Sequence, residues 1–128
     1  MTYIYMSEDT LMYGIMKARQ TNIDSNEMVL FKVGQSIDPH RRGGQLKQAG
    51  KRAGIAEDIH MRVANYVAQC GTDNPIIVRK IEQHVLRRVA QRPSALRITN
   101  EFFRISIADR AYCYEHLDQW VEEIKGLI

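Results

Sequence analysis

Apolar and β-forming residues cluster in four short stretches of the chain. Residues 2–7 and 28–34 are rich in β-branched and aromatic side chains, and the second stretch ends at a glycine. Residues 59–70 alternate apolar and polar side chains, and residues 98–106, ITNEFFRIS, are assigned to a further, short strand. Because a period of two is typical of strands with one buried face, these stretches predict four β-strands.

Two stretches with helical features follow the second and third of these strands. A helix is expected from Pro39 to about Lys51, with the proline in its first turn, where the missing N–H costs nothing. The next helix covers residues 75–92, with Asp73 or Asn74 as its N-cap. Its aliphatic side chains recur every four residues and so form one stripe for packing: Ile77, Ile81, Val85 and Val89.

A last helix over residues 109–127 completes the fold prediction. Its apolar stripe is strong and comprises Leu117, Trp120, Val121, Ile124 and Leu127. The expected fold class is α/β (α+β): a small sandwich in which a short, mostly antiparallel sheet is flanked by helices. A chain of 128 residues has room for one such domain, spanning 1–128, with the last helix covering the sheet or an identical partner.

Positive charge is concentrated in the middle of the chain. Residues 41–104 carry thirteen Lys and Arg against five Asp and Glu, a balance of +8 within a chain of net charge +3. The two ends are mildly acidic. Solvated helix faces explain such a block as readily as a polyanion partner does, although clustered cations gain by displacing counterions from phosphate backbones.

Few residues support a structural metal or a membrane anchor. The two cysteines, Cys70 and Cys113, and the four histidines are scattered, which argues against structural zinc. No apolar run approaches the ~20 residues that a membrane helix needs, and no leader segment opens the sequence. We therefore expect an intracellular protein with reduced thiols and no membrane partner.

A small set of chemically active residues lies near the ends of these elements. In an antiparallel pair of the first two strands, Tyr5 and Lys32 can share one face. Arg42 falls about two turns into the helix that follows the second strand. Glu82 is the only carboxylate within residues 74–100 and serves either in a helix salt bridge, the commoner case, or as a metal ligand.

The order of these residues resembles that of the GIY-YIG nuclease superfamily. YIY at 3–5 is similar to its first motif, and KVG at 32–34 is similar to the second, with lysine in place of tyrosine. QSIDPHRRGGQL at 35–46 resembles the turn and helix that carry an essential arginine. IEQHVL at 81–86 resembles the helix with the catalytic glutamate, and NEFFRIS at 100–106 resembles the closing motif.

This resemblance implies a divalent-metal-dependent DNA endonuclease of a bacterial or phage-infected cell. Glu82 would hold Mg²⁺ (or Mn²⁺), and Arg42 would stabilise charge on the phosphate oxygens. Tyr5 would be the general base, with Lys32 assisting it or orienting the attacking water. DNA would be the partner of a possible homodimer, with further contacts expected from Arg41, Lys47, Lys51, Arg52, Arg79 and Lys80.

Two other functions fit the same sequence. A nucleic-acid-binding or regulatory module could keep the fold and lose the chemistry, since lysine stands at position 32 and Gly43 and Gly44 follow Arg42. A protein-interaction domain could use the basic block against an acidic partner. Binding that survives loss of Tyr5 and Glu82 and needs no metal would distinguish the interaction domain from the nuclease.

Overall fold

The computed structural model of the protein describes residues 1–9, 27–39 and 61–127. Over these residues the fold is α+β, as predicted, with five strands and two helices. The strands are β1 Tyr3–Asp9, β2 Met28–Ser36, β3 Met61–Gln69, β4 Leu96–Arg97 and β5 Phe102–Ser106, and the helices are α1 Pro75–Ala90 and α2 Ile107–Lys125. The strands form one antiparallel sheet in the order β3-β1-β2-β5-β4. No helix in these segments is long and apolar enough to cross a membrane.

The first three strands lie close to the predicted stretches, and the strand predicted over residues 98–106 is confirmed over Phe102–Ser106 but not over the residues before it. That region contains a turn and then β5, and the turn joins β5 to the two-residue strand β4. The amide of Ile98 donates to the carbonyl of Phe102 at 2.8 Å and closes the hairpin. Thr99 and Asn100 favour a turn over a strand, which explains the interruption.

Helix α1 is capped by Asn74. The Asn74 Oδ1 accepts hydrogen bonds from the amides of Ile76 and Ile77, at 3.0 and 3.4 Å. Asp73, the other candidate cap, instead accepts a hydrogen bond from the Thr2 hydroxyl at 2.8 Å. The helix ends at Ala90 rather than at residue 92, since the residue before a proline is disfavoured in helical conformation.

Helix α2 begins two residues earlier than predicted because Ser106 caps it. The Ser106 hydroxyl accepts a hydrogen bond from the Asp109 amide at 3.1 Å. Trp120, the single tryptophan, is 4% exposed and lies in the core, which confirms its predicted packing role. Cys70 and Cys113 are buried free thiols. Of the helix predicted from Pro39 to Lys51, all but Pro39 lies outside the described residues.

The two faces of the sheet have different roles. Ile4, Met6 and Val33 belong to one core cluster together with apolar residues of both helices. Because successive side chains on a strand point to opposite faces, Tyr5 and Lys32 lie on the other face. The fold therefore places the helices on one side of β1 and β2 and two of the predicted site residues on the other.

Candidate active site

Tyr5 and Lys32 form a buried pair on neighbouring strands. The β1–β2 register sets Tyr5 opposite Gly34 and Ser7 opposite Lys32, so the tyrosine and the lysine are diagonal neighbours. The Lys32 Nζ donates a hydrogen bond to the Tyr5 Oη at 3.0 Å. The two residues are 0% and 1% exposed, respectively. The predicted shared face is thus confirmed, and the contact is closer than a shared face alone requires.

Gly34 is needed for this pair to form. A Cβ atom at position 34 would lie 2.5 Å from the Tyr5 Oη and 2.7 Å from the Lys32 Nζ. Real Cβ atoms do not approach other heavy atoms so closely, so any side chain would displace the tyrosine or the lysine. The glycine that ends the KVG motif therefore makes room for the Tyr5 and Lys32 side chains.

Glu101 connects this pair to the protein surface. Its Oε2 lies 2.9 Å from the Lys32 Nζ, and its carbonyl accepts a hydrogen bond from the Val33 amide at 3.1 Å. The lysine is buried, whereas the Glu101 side chain is 42% exposed. Sequence reasoning placed Glu101 in the closing motif but gave it no role. Its position directly before two buried phenylalanines was the available signal.

Glu82 is a buried carboxylate with no ion-pair partner within 4 Å among the residues that the structure describes. It lies on α1 and is 7% exposed, and its Oε2 has no hydrogen-bond partner among the described residues. The pKa of Glu82 is raised from 4.5 to about 7, chiefly by burial and then by the negative charge of Glu101, against the opposing effect of Lys32. None of the salt bridges in the described part of the chain includes Glu82, so the helix salt bridge expected as the commoner case is not observed there.

A cavity of about 420 Å³ opens next to these carboxylates. Its lining includes Gln35, Arg79, Glu82, Arg97, Asn100 and Glu101. Carboxylate and amide oxygens therefore face the same space as two guanidinium groups. Oxygen ligands suit a hard divalent cation, and guanidinium groups suit phosphate, so the cavity is chemically able to take both.

The fit of a divalent cation rests on Glu82 and Glu101. No group of three potential ligands from His, Cys, Asp and Glu occurs among the residues that the structure describes. Mg²⁺ commonly keeps several waters and takes only one or two protein carboxylates in addition to substrate phosphate. An orphaned Glu82 oxygen with a second carboxylate nearby meets that requirement, whereas a structural zinc site would not fit.

The structure brings together some of the predicted site residues and separates others. Glu82 and Arg79 line the cavity, and the Tyr5–Lys32 pair is connected to it through Glu101. Lys80 does not line this cavity but a second one of about 260 Å³ between the two helices, whose lining does not include Glu82. Five predicted residues lie outside the described residues: Arg41, Arg42, Lys47, Lys51 and Arg52. Gln35 also lines the cavity, and nothing in the sequence except its place after Gly34 indicated a role in the site.

The fold and site define a small α+β domain whose carboxylates and arginines share one cavity. A family model named T5orf172 domain matches residues 2–125, and the chain belongs to that family. The family is associated with nuclease-like and DNA-binding functions. No curated protein and no solved structure matches the chain.

The family match corrects the resemblance drawn from the motifs. The family shown is the T5orf172 domain rather than the GIY-YIG superfamily. The motif resemblance rested on five short stretches, of three to twelve residues each, within residues 2–106. The family model also takes in α2, which those patterns left out. Short patterns of this kind constrain local geometry more than they constrain family membership.

Proposed function

We propose that the protein is a divalent-metal-dependent endonuclease that hydrolyses phosphodiester bonds of DNA. The observation that supports this proposal most is the Glu82 carboxylate, buried beside a cavity with one oxygen that has no hydrogen-bond partner among the described residues. Leaving such a group unpaired is costly, and positions of this kind are commonly functional. The basic block and the family's association with nuclease-like functions support the same proposal.

Glu82, with Glu101 beside it, would hold the cation. Mg²⁺ or Mn²⁺ bound there would supply charge stabilisation at the phosphate oxygens. Glu101 also bonds Lys32, so it links the metal-binding side of the cavity to the Tyr5–Lys32 pair. The pair and the carboxylates thus belong to one connected site.

The chain's own groups would handle the water and the phosphate. As general base, Tyr5 would act as the phenolate, take a proton from the attacking water and become the neutral phenol, while Lys32, which donates to the Tyr5 Oη, would hold that oxygen in place. Arg79 at the cavity would bind a substrate phosphate. Arg42 would stabilise charge on the scissile phosphate, and the remaining basic residues of 41–52 would contact the DNA.

One observation favours a second candidate, a DNA-binding module that does not cut. Tyr5 and Lys32 are 0% and 1% exposed. A general base must come within hydrogen-bond distance of the water that it activates. If the buried Tyr5–Lys32 pair stays inaccessible to water, Lys32 would still hold Glu101 in place. The domain would then bind DNA without hydrolysing it.

Plasmid cleavage decides between the two functions. Supercoiled plasmid is incubated with the wild type in Mg²⁺ or in EDTA, alongside Glu82→Ala and Arg42→Ala. We expect nicking or linearisation by the wild type in Mg²⁺ only, and loss of at least ~10²-fold of the rate in each variant. Glu115→Ala, which removes an exposed carboxylate on α2, is the matched control and should cleave at the wild-type rate.

Two outcomes would contradict the nuclease. Full activity of Glu82→Ala would show that the metal site is assigned to the wrong residue. No cleavage by the wild type, together with salt-sensitive retention of DNA in a gel shift, would favour the binding module. Unfolding of Glu82→Ala is checked by circular dichroism, and Glu82→Gln replaces it if the fold is lost.

A further inference from the structure

Two arginines approach the cavity from different parts of the fold. Arg79 comes from the first turn and a half of α1, and Arg97 comes from β4, the short edge strand. Both residues are exposed, and both line the cavity that contains Glu82 and Glu101. Arg97 is absent from the candidate residues drawn from the sequence, because a two-residue strand leaves no periodic signal.

Two contacts hold Arg97 in place, and neither is with an acidic residue. Its Nη2 donates to the Asn100 carbonyl at 2.8 Å, and its guanidinium carbon lies 5.3 Å from the centre of the Phe103 ring. Phe103 is fully buried, so the arginine rests on a fixed surface. Neither contact neutralises its charge. In the described segments no carboxylate lies within ion-pair distance of Arg97 or Arg79.

The charge balance of the cavity favours an anion. Glu101 is paired with Lys32 at 2.9 Å, so its negative charge is offset within the protein. The remaining charged groups of the lining are Arg79 and Arg97 against Glu82. Their balance is positive even with Glu82 ionised, and a divalent cation would make it more so. A volume of about 420 Å³ falls within the ~300–1,000 Å³ of sites that take ligands larger than a single phosphate.

We propose that Arg79 and Arg97 bind the backbone phosphates that flank the phosphodiester facing Glu82, which makes the β4–β5 hairpin a DNA-binding element. The inference rests on the proposed function for the identity of its substrate. Guanidinium groups bind phosphate through two parallel hydrogen bonds, and a pre-positioned side chain loses less freedom when it does so. The DNA then crosses the cavity from α1 to the sheet edge.

DNA binding without cleavage tests this assignment. Fluorescence anisotropy of a short labelled duplex is measured in EDTA over a salt series for the wild type, Arg79→Ala and Arg97→Ala. Arg104→Ala is the matched control, because Arg104 lies in the same hairpin opposite Leu96, whereas Arg97 lies opposite Phe103. Arg104 and Arg97 therefore occupy opposite faces of the sheet.

Each cavity variant should lose one phosphate contact. We expect the slope of log Kd against log salt to fall by about 0.9 for each, and Kd at low salt to rise about tenfold. Arg104→Ala should change Kd by less than about twofold. Wild-type slope and affinity in Arg97→Ala would overturn the proposal, and so would an equal loss in Arg104→Ala. If Arg97→Ala melts at a lower temperature, Arg97→Gln provides the deciding measurement.

Failure of this inference and failure of the nuclease give different results. A wild type that binds DNA in EDTA with the expected arginine dependence but never cuts plasmid contradicts the nuclease alone. A wild type that cuts plasmid while Arg97→Ala binds normally overturns only the role of the hairpin. A wild type that neither cuts plasmid nor retains DNA at low salt overturns both the nuclease and the role of the two arginines.

Discussion

Replacing Glu82 with glutamine should stabilise the fold at neutral and alkaline pH while removing function. Glutamine matches the glutamate in shape and cannot ionise. In the wild type the carboxyl is 7% exposed, and its pKa is raised to about 7 by burial and by Glu101. Ionisation of Glu82 therefore weakens the folded state, and Glu82→Gln removes that penalty. A functional carboxylate that reduces stability is a common trade-off.

The size of the effect follows from the two pKa values. A rise from 4.5 to about 7, at about 1.4 kcal/mol for each pKa unit, sets an upper limit of about 3 kcal/mol. Between these pH values the folded state binds more protons than the unfolded state, so the stability of the wild type falls as the pH rises. Below about pH 4.5 both states are protonated and the penalty is absent. Above about pH 7 it is complete.

Urea unfolding from pH 5 to pH 8 in EDTA measures this difference. Trp120 is the only tryptophan and is buried, so its fluorescence reports loss of the core. The free energy of unfolding of Glu82→Gln, relative to the wild type, should increase with pH by up to about 3 kcal/mol. Glu115→Gln, which removes an exposed carboxylate, supplies the baseline. A difference that stays constant with pH, or one that decreases, would refute the buried, unpaired state of Glu82.

Two further substitutions test the packing around the site and the start of α1. Gly34→Ala should lower the free energy of unfolding by about 1–3 kcal/mol, measured in urea, because its Cβ would lie 2.5 Å from the Tyr5 Oη. In the control Gly126→Ala the new Cβ meets only a carbonyl at 3.6 Å, so this variant should be neutral or slightly stabilised. Equal stability of the two variants would contradict the close packing at position 34. Asn74→Ala should lower the free energy of unfolding by about 1 kcal/mol through loss of the two cap hydrogen bonds, and an unchanged value would show that the cap is dispensable.

The sequence predicted those parts of the fold that depend on local patterns. A high content of β-forming residues located β1 and β2, alternation located β3, and the spacing of apolar residues located both helices. The β4–β5 hairpin was missed because a strand of two residues has no period, and its pairing is set by the turn at Thr99 and Asn100. Hydrophobic patterns predict regular elements and say little about short edge strands.

The site was predictable only where it follows from strand pairing. Antiparallel pairing of the first two strands is enough to place Tyr5 beside Lys32. The bond between Lys32 and Glu101 joins residues far apart in sequence, and no local pattern indicates it. The buried state of Glu82 had a signal, since it lies four residues from both Val78 and Leu86, which are buried on the same side of α1. The predicted apolar stripe was too narrow to include them.

The central claim is that Glu82 holds a divalent cation at this cavity, and calorimetric titration of Mn²⁺ at pH 8 tests it most directly. Wild type, Glu82→Gln and the control Glu115→Gln are compared with metal alone. The account predicts saturable binding to the wild type and the control, and at least tenfold weaker binding to Glu82→Gln, in line with loss of a carboxylate ligand. Equal Mn²⁺ affinity in all three proteins would contradict it.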